Sequence, residues 1–148
     1  MRALYLNILA LGFVLNFVWE MVQMPLYAGM ARRPPGQTTL ICLRATAVDV
    51  SVLLVAFWLL ILVGRIHRPW IVEIAIPRVV QFTLVSFVLG VALELIATRL
   101  LHHYTYDVTM PRLPVFDLGL APVLLWLLLP PTILSIADWR AGTLRMEP

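Results

Sequence analysis

Apolar positions dominate four stretches of this chain, and polar or helix-breaking residues gather between them. Between Arg44 and Arg65 lie 20 residues with one charge, Asp49; between Arg78 and Arg99 lie 20 with one, Glu94; between Asp117 and Asp138 lie 20 with none. The N-terminal stretch from Ala3 to Tyr27 holds Glu20 as its only charge. Twenty helical residues at about 1.5 Å each cover the roughly 30 Å of a bilayer's hydrocarbon core, where a helix satisfies its own backbone. The pattern predicts an all-α membrane protein, a four-helix transmembrane up-down bundle. Its spans cover residues 3–27, 39–63, 78–101 and 115–137 of a single transmembrane domain, 1–148. A cleaved leader is the alternative for the first stretch, from Arg2 and the small residues of YAGMA. A leader's apolar region is about 7 to 15 residues, whereas this stretch is longer and carries Asn16, Glu20 and Gln23.

The connectors fit four spans. ARRPPGQTT ends the first helix with prolines and glycine; GRIHRPW and AIPR bracket a short middle loop in which WIVEI lies at the interface; HHYTYDVTMPRLPVF forms the third connection. Pro130 and Pro131 inside the fourth span remove backbone donors and predict a kink or local unwinding.

Polar positions inside the spans are also patterned. Asn16, Glu20, Gln23 and Tyr27 recur at helical spacing on one face, as do Cys42, Thr46 and Asp49 on the second helix and Ser86, Gly90 and Glu94 on the third. The small residues of the third stripe also admit a close neighbour. With Asp117 at the start of the fourth helix, an up-down bundle places all four carboxylates in one half of the membrane, capped by His102, His103, Tyr104, Tyr106 and Asp107 of HHYTYD. That loop is expected to fold over the stripes, because tyrosine offers a ring to lipid and a hydroxyl to a carboxylate. Trp19 and Trp126 lie beside the stripes as pocket walls or packing, while Trp70 and Trp139 match an aromatic belt.

Composition sharpens the class and excludes others. The chain is 61% hydrophobic and 13% charged, against about a quarter charged in a soluble domain. All eleven basic residues are arginine, so no lysine Schiff base forms and a retinal attached that way is excluded. Cys42 is the only cysteine, which excludes an internal disulfide and a thiolate metal cluster. The formal charge of +3 is spread singly along the loops and gives no support to a nucleic-acid partner. Membrane lipids are the expected surroundings, and no cofactor is indicated. An even span count collects Arg2, Arg65, Arg68, Arg78, Arg140 and Arg145 on one side and Arg32, Arg33, Arg44, Arg99 and Arg112 on the other. With Arg44 and Arg99 set aside as counter-ions to the nearby acids, the bias is six against three, which places the termini in the cytoplasm of an inner-membrane protein.

The stretches WEMVQMPLY, ATAVDVSV and YTYDVTMPRLPVFDLGLAPVLLW resemble an uncharacterised family of small bacterial membrane proteins with four predicted spans. The resemblance implies a signature of Trp19, Glu20, Gln23, Asp49, Glu94, Tyr106, Met110, Pro111, Gly119, Pro122 and Trp126, and brings no function with it. The chain departs from that pattern with Tyr104 in place of tryptophan and Leu125 in place of a glutamine.

A lone carboxylate in hydrocarbon costs at least about 2.5–3.5 kcal/mol at mid-bilayer, so Glu20, Asp49 and Glu94 have to be paired, hydrogen-bonded, wet or protonated. As catalytic candidates they suit an acid that protonates a double bond beside one that stabilises the resulting cation; they also suit a binder of a lipophilic cation. The ligand-binding candidates are Asn16, Trp19, Gln23, His102, His103, Tyr104, Tyr106, Asp107 and Trp126. Alternatively, Gln23, Asp49 and Arg44 or Arg99 act as interhelical glue in an accessory or assembly subunit of a larger membrane complex, or the chain forms a proton- or ion-conducting homo-oligomer. A di-metal bundle requires Glu-x-x-His, and here Gln23 and Ala97 stand in the histidine positions, which leaves only Glu94, His102 and Asp107 as a minor candidate for one ion.

Overall fold

Four long helices each carry an inward stripe, and on three of them its chemistry changes from apolar to polar along the helix. The computed structural model describes residues 2–63 and 76–143; Arg65, His67, Arg68, Trp70, the WIVEI segment and Arg145 lie outside the described residues. Helix α1 runs Arg2–Gln23, α2 Pro35–Val63, α3 Ile76–Leu95 and α4 Leu120–Thr143. All four are long and apolar enough to cross a membrane, as in a multi-pass membrane protein. Exposed side chains such as Leu6, Val14, Val22, Val55, Leu84, Val88 and Leu128 make their outer faces apolar.

On α1 the buried stripe begins with Leu4 and Ile8 and continues as Asn16, Glu20 and Gln23. On α3 it passes from Phe82 through Ser86 and Gly90 to Glu94. On α2 the order is reversed, with Cys42 and Thr46 preceding Leu53, Ala56 and Phe57. The buried face of helix α4 is apolar, with Val123, Leu125, Trp126, Ile133, Leu134 and Ala137. The apolar portions pack into one core containing Leu4, Ile8, Leu53, Phe57, Phe82, Leu125 and Ile133. Helix α1 packs on α2 and α4, and α3 on α4 and α2. Asn7 Nδ2 donates to the Ala137 carbonyl, so the beginning of α1 meets the end of α4. The rings of Phe57 and Phe82 meet edge to face, bringing the latter part of α2 to the first part of α3.

Element ends follow local chemistry. A 3₁₀ turn, Met24–Leu26, contains Pro25, which has no N–H for the helical ladder. Pro34 and Pro35 then lead into α2, where their fixed φ suits a helix start. Helix α2 thereby begins at Pro35, four residues before the expected position, and its 29 residues reach about 44 Å at 1.5 Å each. A π-helical turn, Ile96–Leu100, closes α3, with the Leu101 N–H on the Ile96 carbonyl at 2.9 Å.

Helix α4 starts at Leu120, not at 115, because residues 112–119 form a small hairpin. Its strands β1 (Arg112–Leu113) and β2 (Leu118–Gly119) pair antiparallel, and Phe116 and Asp117 between them have φ of 60° and 48°. Asp117 therefore sits in a turn and not on a helix. Its carboxylate receives Arg99 at 3.2 Å and Arg112 at 3.3 Å, which makes Arg99 the counter-ion of Asp117. Helix α4 also runs on as a helix through Pro130 and Pro131, so of the kink or local unwinding expected there the unwinding does not occur. The missing N–H groups leave the Trp126 and Leu127 carbonyls without their helical donors.

Candidate functional site

The polar ends of the stripes meet around one cavity of about 390 Å³. Helix α1 contributes Glu20 and Gln23, followed by Met24 and Tyr27; α2 contributes Ile41, Arg44, Ala45, Val48 and Asp49; α3 contributes Gly90, Leu93 and Glu94; α4 contributes Pro122, Leu125 and Trp126; His103 and Tyr104 close the loop side. Val48 on α2 and Leu93 on α3 line the cavity and are 53% and 40% exposed.

The three carboxyl groups have different partners. Gln23 Nε2 donates to Glu20 Oε1 at 2.6 Å, and Trp19 Nε1 donates to Gln23 Oε1 at 3.1 Å, a chain confined to one face of α1. Glu20 also lies within side-chain hydrogen-bonding reach of Asp49 across the α1–α2 contact. Asp49 Oδ2 is shut off from solvent and has no donor among the described residues. The neighbouring carboxyl is itself an acceptor, so this oxygen is satisfied by a proton held between the two acids or by a donor brought into the cavity. Glu94 instead accepts two phenols, Tyr104 at 2.6 Å on Oε2 and Tyr106 at 2.6 Å on Oε1. Burial, and then the Glu94 carboxylate, push both phenols well above the usual tyrosine range, which keeps them protonated as donors.

The loop reaches Glu94 because it is strapped to the end of α1. The Ala28 N–H donates to the Thr105 carbonyl at 2.9 Å and the Asp107 N–H to the Leu26 carbonyl at 2.8 Å, while Tyr27 and Tyr106 pair as a single antiparallel bridge. The Tyr27 ring meets Tyr104 edge to face at 5.1 Å, and its own phenol is raised by burial and by Glu94. Gly119 allows the Tyr106 ring to lie against β2, since a Cβ there would come within 2.9 Å of it. Arg112 stacks over that ring at 5.6 Å.

Of the residues singled out by sequence, Glu20, Asp49, Glu94, Gln23, His103, Tyr104 and Trp126 border the cavity. Asn16 lies below it, fully buried, with Nδ2 on the Gly12 carbonyl and Oδ1 without a partner among the described residues. Trp19 packs against the apolar core. Tyr106 acts on the site through Glu94, Asp107 accepts from Thr109 in a local turn, and His102 is exposed with a φ of 46°. Gln23 bonds within α1, and neither Arg44 nor Arg99 makes an ion pair with Glu20, Asp49 or Glu94 among the described residues. No group of three His, Cys, Asp or Glu side chains close enough to share an ion occurs among the described residues, Glu94, His102 and Asp107 included. Ile41, Ala45, Val48, Leu93 and Ala97 carry no polar signal, and sequence patterning does not single them out.

Comparison with protein-family models, curated proteins and solved structures finds nothing that matches this chain.

Proposed function

We propose that the chain is an up-and-down, four-span membrane protein that admits a lipophilic molecule between α2 and α3 and holds it against Glu20, Asp49 and Glu94. What carries this reading is the cavity itself: a mostly apolar lining, three carboxyl groups, and the exposed Val48 and Leu93 where α2 and α3 border it. Pockets for small molecules have this character, mostly apolar lining with a few convergent polar groups. The carboxyls divide the work. Glu94 is the carboxyl that the two phenols hold in place to face a cation, and Glu20 and Asp49 are the pair that exchanges a proton with the occupant. This is the equipment for protonating a double bond and stabilising the cation that follows, or for binding a lipophilic cation. By the arginine bias the protein lies in the inner membrane with cytoplasmic termini and the site near the outer surface; a membrane-impermeant maleimide applied to Gly36→Cys in intact cells reads that orientation, labelling there supporting it and protection contradicting it.

Interhelical glue in a larger assembly has one observation in its favour, the Glu20–Asp49 contact between α1 and α2. Glue requires no cavity, and the two accounts separate in Glu20→Gln, Asp49→Asn and Glu94→Gln. Native mass spectrometry of protein extracted in mild detergent, with thermal midpoints measured alongside, should show each variant folded but depleted of the co-purifying lipophile. Parallel loss of fold and ligand in all three establishes the glue instead.

A further inference from the structure

The mouth of the cavity bears a cation as well as apolar surface. Arg44 lines the cavity, is exposed, and makes no ion pair or hydrogen bond among the described residues, whereas Arg99 and Arg112 pair with Asp117. It lies five residues before Asp49 on α2, or about 7.5 Å along the helix axis at 1.5 Å per residue, on the side where α2 begins. His103, in the loop on that same side, borders the cavity and adds an imidazole. The lining therefore combines two basic side chains, Arg44 and His103, with the carboxyl of Asp49 five residues further along α2 and the apolar Val48, Leu93 and Trp126. An arginine within a span and without a protein partner has to be met by headgroup, water or ligand. Its planar fork matches phosphate or carboxylate oxygens.

We infer that the occupant is an anionic amphiphile, with a phosphate or carboxylate head on Arg44 and its hydrocarbon chain running along the apolar lining of Val48, Leu93 and Trp126, within reach of the Glu20–Asp49 pair. This rests on the proposal above that the cavity takes a lipophile, and adds which kind. A head at Arg44 is about a turn and a half of helix from the carboxyl pair, so the charge that attracts the ligand and the carboxyls that act on its chain occupy separate levels. A molecule oriented in this way enters sideways without inverting, because its head stays on the loop side as in the surrounding leaflet.

The test is lipid titration followed by native mass spectrometry on the full chain in mild detergent, with phosphatidic acid, oleic acid and diacylglycerol as probes. Either anionic probe should bind at least about tenfold tighter than diacylglycerol, as expected for losing a hydrogen bond to a charged group. Arg44→Gln should abolish that preference, Arg44→Lys should retain part of it, and Arg33→Gln, an exposed arginine that does not line the cavity, should leave it intact. The stronger of phosphatidic acid and oleic acid identifies the head as phosphate or carboxylate. Equal binding of diacylglycerol, or equal effects of Arg44→Gln and Arg33→Gln, overturns the inference. Ala45→Trp separates the two levels of the account, because it fills the cavity: if it removes all three lipids while Arg44→Gln changes nothing, only the anionic head is wrong; if it removes none, the cavity is not the binding site.

Discussion

Gly90 determines how closely α3 and α4 approach beside the cavity. A Cβ at that position would overlap the indole ring of Trp126, at its Cδ2, Cε2 and Nε1 atoms. Two effects of Gly90→Ala oppose each other: alanine gains about 1 kcal/mol of helix propensity over glycine, whereas overpacking a filled site costs about 1–3 kcal/mol. Rigid indole atoms lie in the way, so the overlap should win and the thermal midpoint should fall. A neutral or stabilised variant would show that Trp126 is free to leave this wall. The glycine's role as a place of close approach was legible from its position four residues before Glu94, but its partner was not. Asp117 was legible as a charge and misplaced on a helix, because a run of apolar residues conceals a two-residue strand and two positive-φ positions. Arg44 and Arg99 looked alike in sequence; only the hairpin, by presenting Asp117, distinguishes the neutralised arginine from the other.

At the level of elements, the three polar stripes were readable because helical periodicity fixes a face, and Asn16, Glu20, Gln23, Thr46, Ser86 and Glu94 are all buried. Which residues flanking the stripes line the cavity was not readable. They include Ile41, Ala45, Val48 and Leu93, whose side chains suit lipid and pocket equally. The fold of the loop over Glu94 follows from its tyrosines, but the strap to residues 26–28 is a backbone match that no side-chain pattern announces. The raised phenols carry a pH consequence. A tyrosine that the fold keeps protonated stabilises the fold fully below its ordinary value near 10; above it the released chain ionises and the folded one does not, so stability falls. Thermal midpoints of the wild type should drop above about pH 10, and Tyr104→Phe with Tyr106→Phe should flatten that slope while lowering the midpoint at pH 7. An unchanged alkaline slope in the double variant would mean that the phenols are not what the loop protects.

At the scale of the whole molecule, four helices share an apolar core at one end and spread their polar residues around a cavity at the other, with a small hairpin and a strapped loop as its cover. The dry end stabilises the fold by burial and leaves the polar end free to carry groups that cost stability. The central claim is that this end takes a lipophile from the side, between α2 and α3. A fatty acid carrying a diazirine in mid-chain, incorporated with the protein into liposomes and photolysed, tests it most directly once the adducts are mapped by peptide mass spectrometry. Adducts concentrated on Ala45, Val48, Leu93 and Ala97, and removed by Ala45→Trp, are the predicted result. Adducts spread evenly over outward residues such as Leu6, Val14, Leu84 and Leu128, with no excess at the cavity and no response to Ala45→Trp, would contradict it.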